Sequence, residues 1–336
     1  MSASSPSPTF ELIGVGSPIM DLLARVPDDF LRQHVPGDKG GMVLVDHDGM
    51  QRILAQLDGE PAYATGGSAA NATYNSARLG LRATFLGKLG QDDLARVYRH
   101  AFETAGVDGS RFKQGRDANA RCLALVTPDA QRTMRTHLGA AMTLAPEEIG
   151  VRDFQGCRHA HIEGYLVFNR ALADAVLAAA RAAGCTTSLD LSSFEVVNAS
   201  REWLFSQFRR GIDVVFANED EVRALFQKDA SYDAYARKLA GYGGIACVKI
   251  GKDGAWIAKG NDLHRIEPVK VARVTDTTGA GDAWAGGFLY GHLRGLSLAG
   301  AGALGSALGA ECVQHLGPAI PDVHWPRLRT LAQSLK

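Results

Sequence analysis

From residue 68 onward the chain alternates between two spacings of apolar residues. Recurrence at helical spacing predicts helices over 68–79, 92–105, 168–183, 200–209, 219–226 and 231–240. Short β-branched runs between them predict strands over 83–86, 159–162, 186–191 ("TTSLDL"), 213–217 ("DVVFA") and 245–250 ("IACVKI"). Such an alternation is the pattern of an α/β protein, a parallel sheet covered by helices on both faces.

Two stretches depart from it. Residues 19–45 alternate weakly and carry Pro and Gly, while 120–138 reads as two strands joined by the turn "TPDAQ". Together they predict a small antiparallel sheet inserted into the body, an appendage suited to act as a lid. The most apolar tract, 283–313, is rich in Gly and Ala and interrupted by His292, Arg294 and Glu311. It predicts two closely packed buried helices, because a membrane span needs about 20 uninterrupted apolar residues.

Composition narrows the partners. The 336 residues are 46% apolar, enough for a sizeable core, and 36 basic residues balance 36 acidic ones. That balance gives no electrostatic reason to bind nucleic acid or an anionic membrane, so a small molecule is the expected partner. Five scattered cysteines (Cys122, Cys157, Cys185, Cys247, Cys312) form no Cys-x-x-Cys pair, which points to a reduced, cytoplasmic setting. Residues 1–9 lack the basic and apolar regions of a signal peptide and read as a disordered leader.

Chemistry concentrates in glycine-rich segments. Gly14 and Gly16 follow a strand signal, but Ile19 stands where a dinucleotide fingerprint needs its third glycine, and no Walker-type pattern occurs. What remains there is Asp21, placed just past a strand's C-terminal end, where α/β sheets bind ligands; a solvated loop acid is the plainer alternative. In "TGGSAANATYNSARLG" (65–80), Gly66 and Gly67 let backbone amides approach a ligand and Asn71 offers both a donor and an acceptor. In "DTTGAGDAWAGG", Gly279, Ala280 and Gly281 precede a helix and Asp282 falls in its first turn, so N–H groups and the positive end of the dipole converge on an anion hole. Asn218 and Glu221, three apart at a strand end, suit a hydrated Mg²⁺ and equally a helix capping box. The segment "VKIGKDGAWI" (248–257) reads as strand, glycine turn and strand, either a hairpin or a wall of a nucleotide pocket.

These segments, in this order, resemble the ribokinase-like, or phosphofructokinase-B type, family of sugar and nucleoside kinases. The early "GGSAANATYNSARLG" and the late "DTTGAGD" match its two signatures, and the likeness spans about 10–320. The resemblance implies a three-layer α/β/α sandwich over 10–330, with a mostly parallel central sheet and lid segments near 19–45 and 118–138. It also implies ATP and Mg²⁺ as cofactors. Asp282 would be the catalytic base, with Gly279, Ala280 and Gly281 as the anion hole. Asp21, Gly66, Gly67 and Asn71 would bind substrate hydroxyls. Asn218 and Glu221 would hold Mg²⁺ through water, and Asn218, Lys249, Gly251, Gly254, Thr277, Gly279, Gly281 and Ser306 would line ATP. Asp276 and Thr278 match positions that hold a monovalent cation such as K⁺ in several relatives.

Within the family the chain is most similar to bacterial adenosine kinases, through "GDKGGMVLVD", "CLALVTPDAQRTMRTHLGAA" and "HIEGYL". The expected reaction is phosphorylation of a nucleoside 5′-hydroxyl, adenosine to AMP in purine salvage. Another nucleoside, or a sugar such as fructose or ketodeoxygluconate, is the alternative. Arg132 stands where the ribokinase branch carries an acid or amide, and Ser306 where that branch has an Asn beside adenine. Tyr165 and Phe168 follow the "EG" turn, where they either stack on a purine or belong to the core. Both a monomer and a homodimer paired through the lid edge fit the family.

Overall fold

In the computed structural model, residues 9–129 and 131–336 are described, so the expected leader lies outside them apart from Thr9. Nine strands form the central sheet, in the order Asp262–Ile266, Ala255–Lys259, Ile245–Lys249, Val214–Ala217, Thr186–Asp190, Cys157–Glu163, Phe10–Val15, Ala83–Leu86 and Val107–Asp108. From Ile245–Lys249 onward every neighbour is parallel. The first two strands run antiparallel, as the hairpin reading of 248–257 implies.

Successive strand residues point to opposite faces, so Leu12 and Phe216 enter one core while Ile13, Val215 and Ala217 enter the other. The first core is covered by helices Ser68–Leu79, Asp93–Thr104, Ala280–Leu293, Leu298–Cys312 and Trp325–Ser334. The second is covered by Arg170–Ala182, Phe194–Arg209, Glu219–Phe226 and Tyr232–Ala240. The body is thus a three-layer α/β/α sandwich, as the resemblance implies. Among the described residues no helix is long and apolar enough to cross a membrane.

The apolar tract 283–313 is a helix pair pressed together through small residues. A Cβ on Gly287 would lie 2.9 Å from Gly305 Cα, and one on Gly286 2.7 Å from the Ala72 carbonyl oxygen. Helix Ala280–Leu293 is thereby wedged against both Leu298–Cys312 and Ser68–Leu79, which brings two helix N-termini to one end of the sheet.

A second sheet has five strands, in the order Met42–Leu44, Arg132–His137, Arg121–Val126, Ile19–Arg25 and Ala62–Gly66. Arg121–Val126 and Arg132–His137 pair antiparallel as expected, as do Ile19–Arg25 and Ala62–Gly66, but the sheet as a whole is mixed. Ile19–Arg25 pairs parallel with Arg121–Val126, and Met42–Leu44 parallel with Arg132–His137. Alternation of apolar residues reports which face of a strand is buried and carries no information on strand direction. The parallel neighbours arise because the strands leave the body in separate excursions of the chain. Asp21 is also relocated: it sits within strand Ile19–Arg25 of this second sheet, beside Ala64 and Cys122.

Candidate active site

At the C-terminal ends of the central strands, helix Ala280–Leu293 starts from Gly279, whose φ of 73° and contact with Pro318 leave no room for a side chain. The N–H groups of a first helical turn have no intrahelical acceptor, so this end offers donors and a partial positive charge. Lys249 Nζ lies 3.2 Å from where a Cβ on Gly281 would be, adding a full charge beside that turn.

Asp282 projects from the first turn toward the second helix N-terminus. Its Oδ1 accepts from Ser68 Oγ and its Oδ2 from Asn71 Nδ2, each at 2.9 Å. Burial pushes its carboxyl up to about 6; the Asn71 hydrogen bond opposes the shift and the Asp190 charge reinforces it. A carboxylate near neutrality, oriented by two donors, is suited to take a proton from a hydroxyl.

The residues read as hydroxyl-binding gather around it. Gly67 has a φ of 99°, and a Cβ there would lie 2.1 Å from the Ser17 carbonyl oxygen, so this turn requires glycine. At Gly66 a Cβ would lie 2.5 Å from Asp21 Oδ2, so the missing side chain lets the Asp21 carboxylate rest on the backbone. Burial raises Asp21 to about 7, opposed by the Arg132 charge and reinforced by those of Asp282 and Asp276.

Arg132 reaches across from the lid sheet. Its guanidinium donates to Asp276 Oδ2 and to Thr278 Oγ1, the two side chains matched to a monovalent-cation position. Asp276 also accepts from the backbone N–H groups of Thr278 (3.0 Å) and Gly317 (2.7 Å), which knits the loop into a closed network.

On the other side lies an acidic group around Lys249. Its ammonium donates to Asp190 Oδ2 at 3.0 Å. Burial alone would lower Lys249, but the charges of Asp190, Glu221 and Asp282 hold it above its ordinary value. Glu221 is buried and pushed up to about 7, by burial first and by the Asp190 charge second. Its two oxygens accept from Asn218 N and Nδ2, both at 2.8 Å, while Asn218 Oδ1 accepts from the amides of Asp220 and Glu221. The capping box therefore forms. Asp190, Glu221 and Asp282 still face one another with Lys249 between them, a surplus of negative charge that a divalent ion arriving with a nucleotide would relieve.

The nucleotide-side residues have mixed placements. Gly251 and Gly254 shape the turn between antiparallel strands, with φ of 50° and 91°. Thr277 is exposed, and its carbonyl accepts from Ala280 N. Ser306 is buried in the helix pair, its hydroxyl accepting from Trp284 Nε1 at 3.3 Å.

Three residues escaped sequence reading. Glu163, 1% exposed, accepts from Ala69 N (3.3 Å) and Ser17 N (3.4 Å), anchoring the Gly67 turn; burial raises it to about 7. A Cβ at Gly16 would lie 2.6 Å from Glu163 Oε2, which gives the second glycine of "GVG" its reason. Glu163 and Asp190 both stand at the C-terminal ends of strands, the kind of position that singled out Asp21. Ser68 had no signal beyond its place after the glycine pair.

The fold and this site define a phosphotransferase acting on a hydroxyl group. The chain belongs to the pfkB family of carbohydrate kinases, whose family model matches residues 41–325, and it is an ATP-dependent kinase of that family. It is 31% identical to the crystal structure of adenosine kinase from Sinorhizobium meliloti, with 98% of this chain and 100% of that one covered and a TM-score of 0.84. A probable sugar kinase from Rhizobium etli CFN 42 superposes equally well, at 30% identity, 97% and 98% coverage and a TM-score of 0.84. Adenosine kinase of Saccharomyces cerevisiae is 26% identical over 94% of this chain and 98% of its own length.

Proposed function

We propose that this kinase transfers the γ-phosphoryl group of ATP to the 5′-hydroxyl of a nucleoside, adenosine first, forming AMP in a purine-salvage step. The reading is carried by an exposed aromatic pair beside the base. Tyr165 and Phe168, 42% and 64% exposed, face each other at 6.5 Å with rings 28° apart, in the turn directly after Glu163. Large aromatic surface left in water at the edge of a polar site suits stacking on a heterocycle, for which a hexose has no counterpart. The full-length likeness to two proteins named adenosine kinase supports the same choice.

In this reaction the chain's own groups position and neutralise, since phosphoryl transfer asks for little covalent help. Asp21 and the Gly66–Gly67 turn hold the ribose hydroxyls, leaving the 5′-hydroxyl before Asp282. Asp282 accepts the hydroxyl proton as the oxygen bonds to phosphorus and the bond to ADP breaks. The first turn at Gly279–Gly281 and Lys249 stabilise the migrating oxyanions. Asn218 and Glu221 would hold Mg²⁺ through water, and the ion supplies charge neutralisation on the phosphates. The second sheet, carrying Asp21 and Arg132, covers the site and excludes water as competing acceptor.

Incubation with ATP, Mg²⁺ and adenosine, with ADP and AMP followed by chromatography, tests the proposal. A panel including inosine, guanosine, fructose and ketodeoxygluconate decides between the nucleoside and the sugar reading suggested by the Rhizobium etli neighbour. Higher kcat/KM for a sugar than for any nucleoside overturns the proposal.

A further inference from the structure

Among the described residues, phosphoryl transfer leaves unused a cluster of three potential metal ligands. Glu311 lies in the last turn of helix Leu298–Cys312, His315 one turn further on, and His324 in the turn Asp322–His324 before the final helix. Glu311 is 3% exposed. Its Oε1 stands 2.9 Å from His315 Nε2 and 3.1 Å from His324 Nδ1, and the two imidazole centroids are 4.9 Å apart. Arg327 donates to the other carboxylate oxygen. Glu311 and His324 also line a cavity of about 530 Å³, with Val269, Ala272 and Leu328.

We propose that Glu311, His315 and His324 form a binding site for a divalent transition-metal ion, Zn²⁺ foremost. Two imidazoles and one carboxylate are a donor set that Zn²⁺ takes readily, while Mg²⁺ and Ca²⁺ prefer all-oxygen sites. All three ligand atoms lie within 4.8 Å of one another. Metal–ligand bonds of about 2.0–2.2 Å in a tetrahedron separate neighbouring ligands by about 3.3–3.6 Å. The two observed N···O separations already approach that range. A carboxylate oxygen only accepts, so in the metal-free state each ring commits an N–H to the same Oε1. To bind the ion, each nitrogen facing Oε1 presents its lone pair: a neutral ring does so by carrying its proton on the other nitrogen, and an imidazolium by giving one proton to solvent. Arg327, on the second oxygen, orients the carboxylate from the outer shell. The cavity supplies water for the fourth position.

The site's place in the chain gives it a consequence. Residues 313–318, which include ligand His315, hold the loop that carries the anion hole. Val313 O accepts from Thr275 N (2.7 Å) and Asp276 N (3.2 Å), Gly317 N donates to Asp276 Oδ2, and Pro318 packs on Gly279. An ion tying Glu311 to His315 and His324 clamps this segment at both ends and stiffens the Asp276–Gly279 loop.

The full-length protein is stripped with EDTA, dialysed and titrated with Zn²⁺ against a chromophoric chelator, and separately with Co²⁺ while its visible absorption is recorded. One equivalent should bind, with cobalt bands of a four- or five-coordinate nitrogen and oxygen site and a raised thermal midpoint. His315→Gln and His324→Gln, each checked for native circular dichroism, should weaken binding at least about 10- to 100-fold, the loss that even an outer partner of a metal site causes. Absence of a bound equivalent, or unchanged affinity in both variants, overturns the site. Slower hydrogen exchange at the Thr275 and Asp276 amides on Zn²⁺ binding supports the clamp, and unchanged exchange overturns it. None of these readouts uses kinase activity.

Discussion

Asn71 Nδ2 donates to Asp282 Oδ2 at 2.9 Å, a bond between residues 211 apart in the chain that joins two helix N-termini. With Ser68 on the other oxygen, the carboxylate is held by two donors and presents its basicity in one direction. Asp282→Asn keeps the shape and removes the proton acceptor, so turnover should fall by about 10²–10⁴. Calorimetry should show adenosine still bound. Full turnover in this variant would remove Asp282 from the role of base.

Acid should silence the enzyme through the same group. Burial raises the Asp282 carboxyl to about 6, so below that pH the free enzyme carries its proton and cannot accept another. The acid limb of kcat/KM should bend near pH 6 and fall about tenfold per unit beneath it. A limb bending at pH 4 would mean that Asp282 titrates as an ordinary carboxylate.

Asp21 sets a pH dependence of stability with an unusual sign. Its folded pKa of about 7 lies above the ordinary carboxylate value, so the folded state binds this proton more tightly than the unfolded chain. The stabilisation is fully present below about pH 4 and is lost as the pH rises through about 7. Asp21→Asn removes the buried charge. It should raise the melting temperature at pH 8 and have less effect at pH 5, while weakening substrate binding; equal shifts at both pH values would refute the linkage.

Gly287→Ala should destabilise the protein although alanine is the better helix former. The added methyl meets the Gly305 backbone and the Leu304 carbonyl oxygen at 2.9 Å, and overpacking of this kind costs about 1–3 kcal/mol. Urea unfolding monitored by fluorescence gives the number.

Arg132 places a guanidinium on Asp276 and Thr278, the two residues that the family resemblance matches to a monovalent-cation position. Wild-type turnover should therefore be the same in potassium and in choline salts. Arg132→Gln frees both side chains, so its residual turnover should become potassium-dependent. A wild-type enzyme strongly activated by potassium would show that the arginine does not substitute for the ion.

Much of the frame was legible because local pattern and tertiary environment agree. Ser68–Leu79 and Ala83–Leu86 fall where the periodicity predicts them, since each buries the face its spacing defines. The lid was legible only in part: the pair Arg121–Val126 and Arg132–His137 is antiparallel as expected, but two-residue alternation fixes a strand's faces and leaves its other neighbours undetermined, so the two parallel pairings were missed. The strand Ala62–Gly66 carries too little apolar pattern to be found, as most of its residues stay exposed or half-buried. Tyr165 and Phe168, which local reading assigns to the core more readily than to a ligand, prove exposed.

Sequence by itself determined the family, the three-layer α/β body and the segments that converge on the site, because glycines and acids at strand ends and helix starts have few structural alternatives. Only the tertiary structure decided which groups meet: Asp282 with Asn71 and Ser68, Arg132 with Asp276, Glu163 under the Gly67 turn, and Glu311 between two histidines. These pairings join residues on different elements, and their energies depend on burial and charge neighbours that exist only once the sheets and helices have packed.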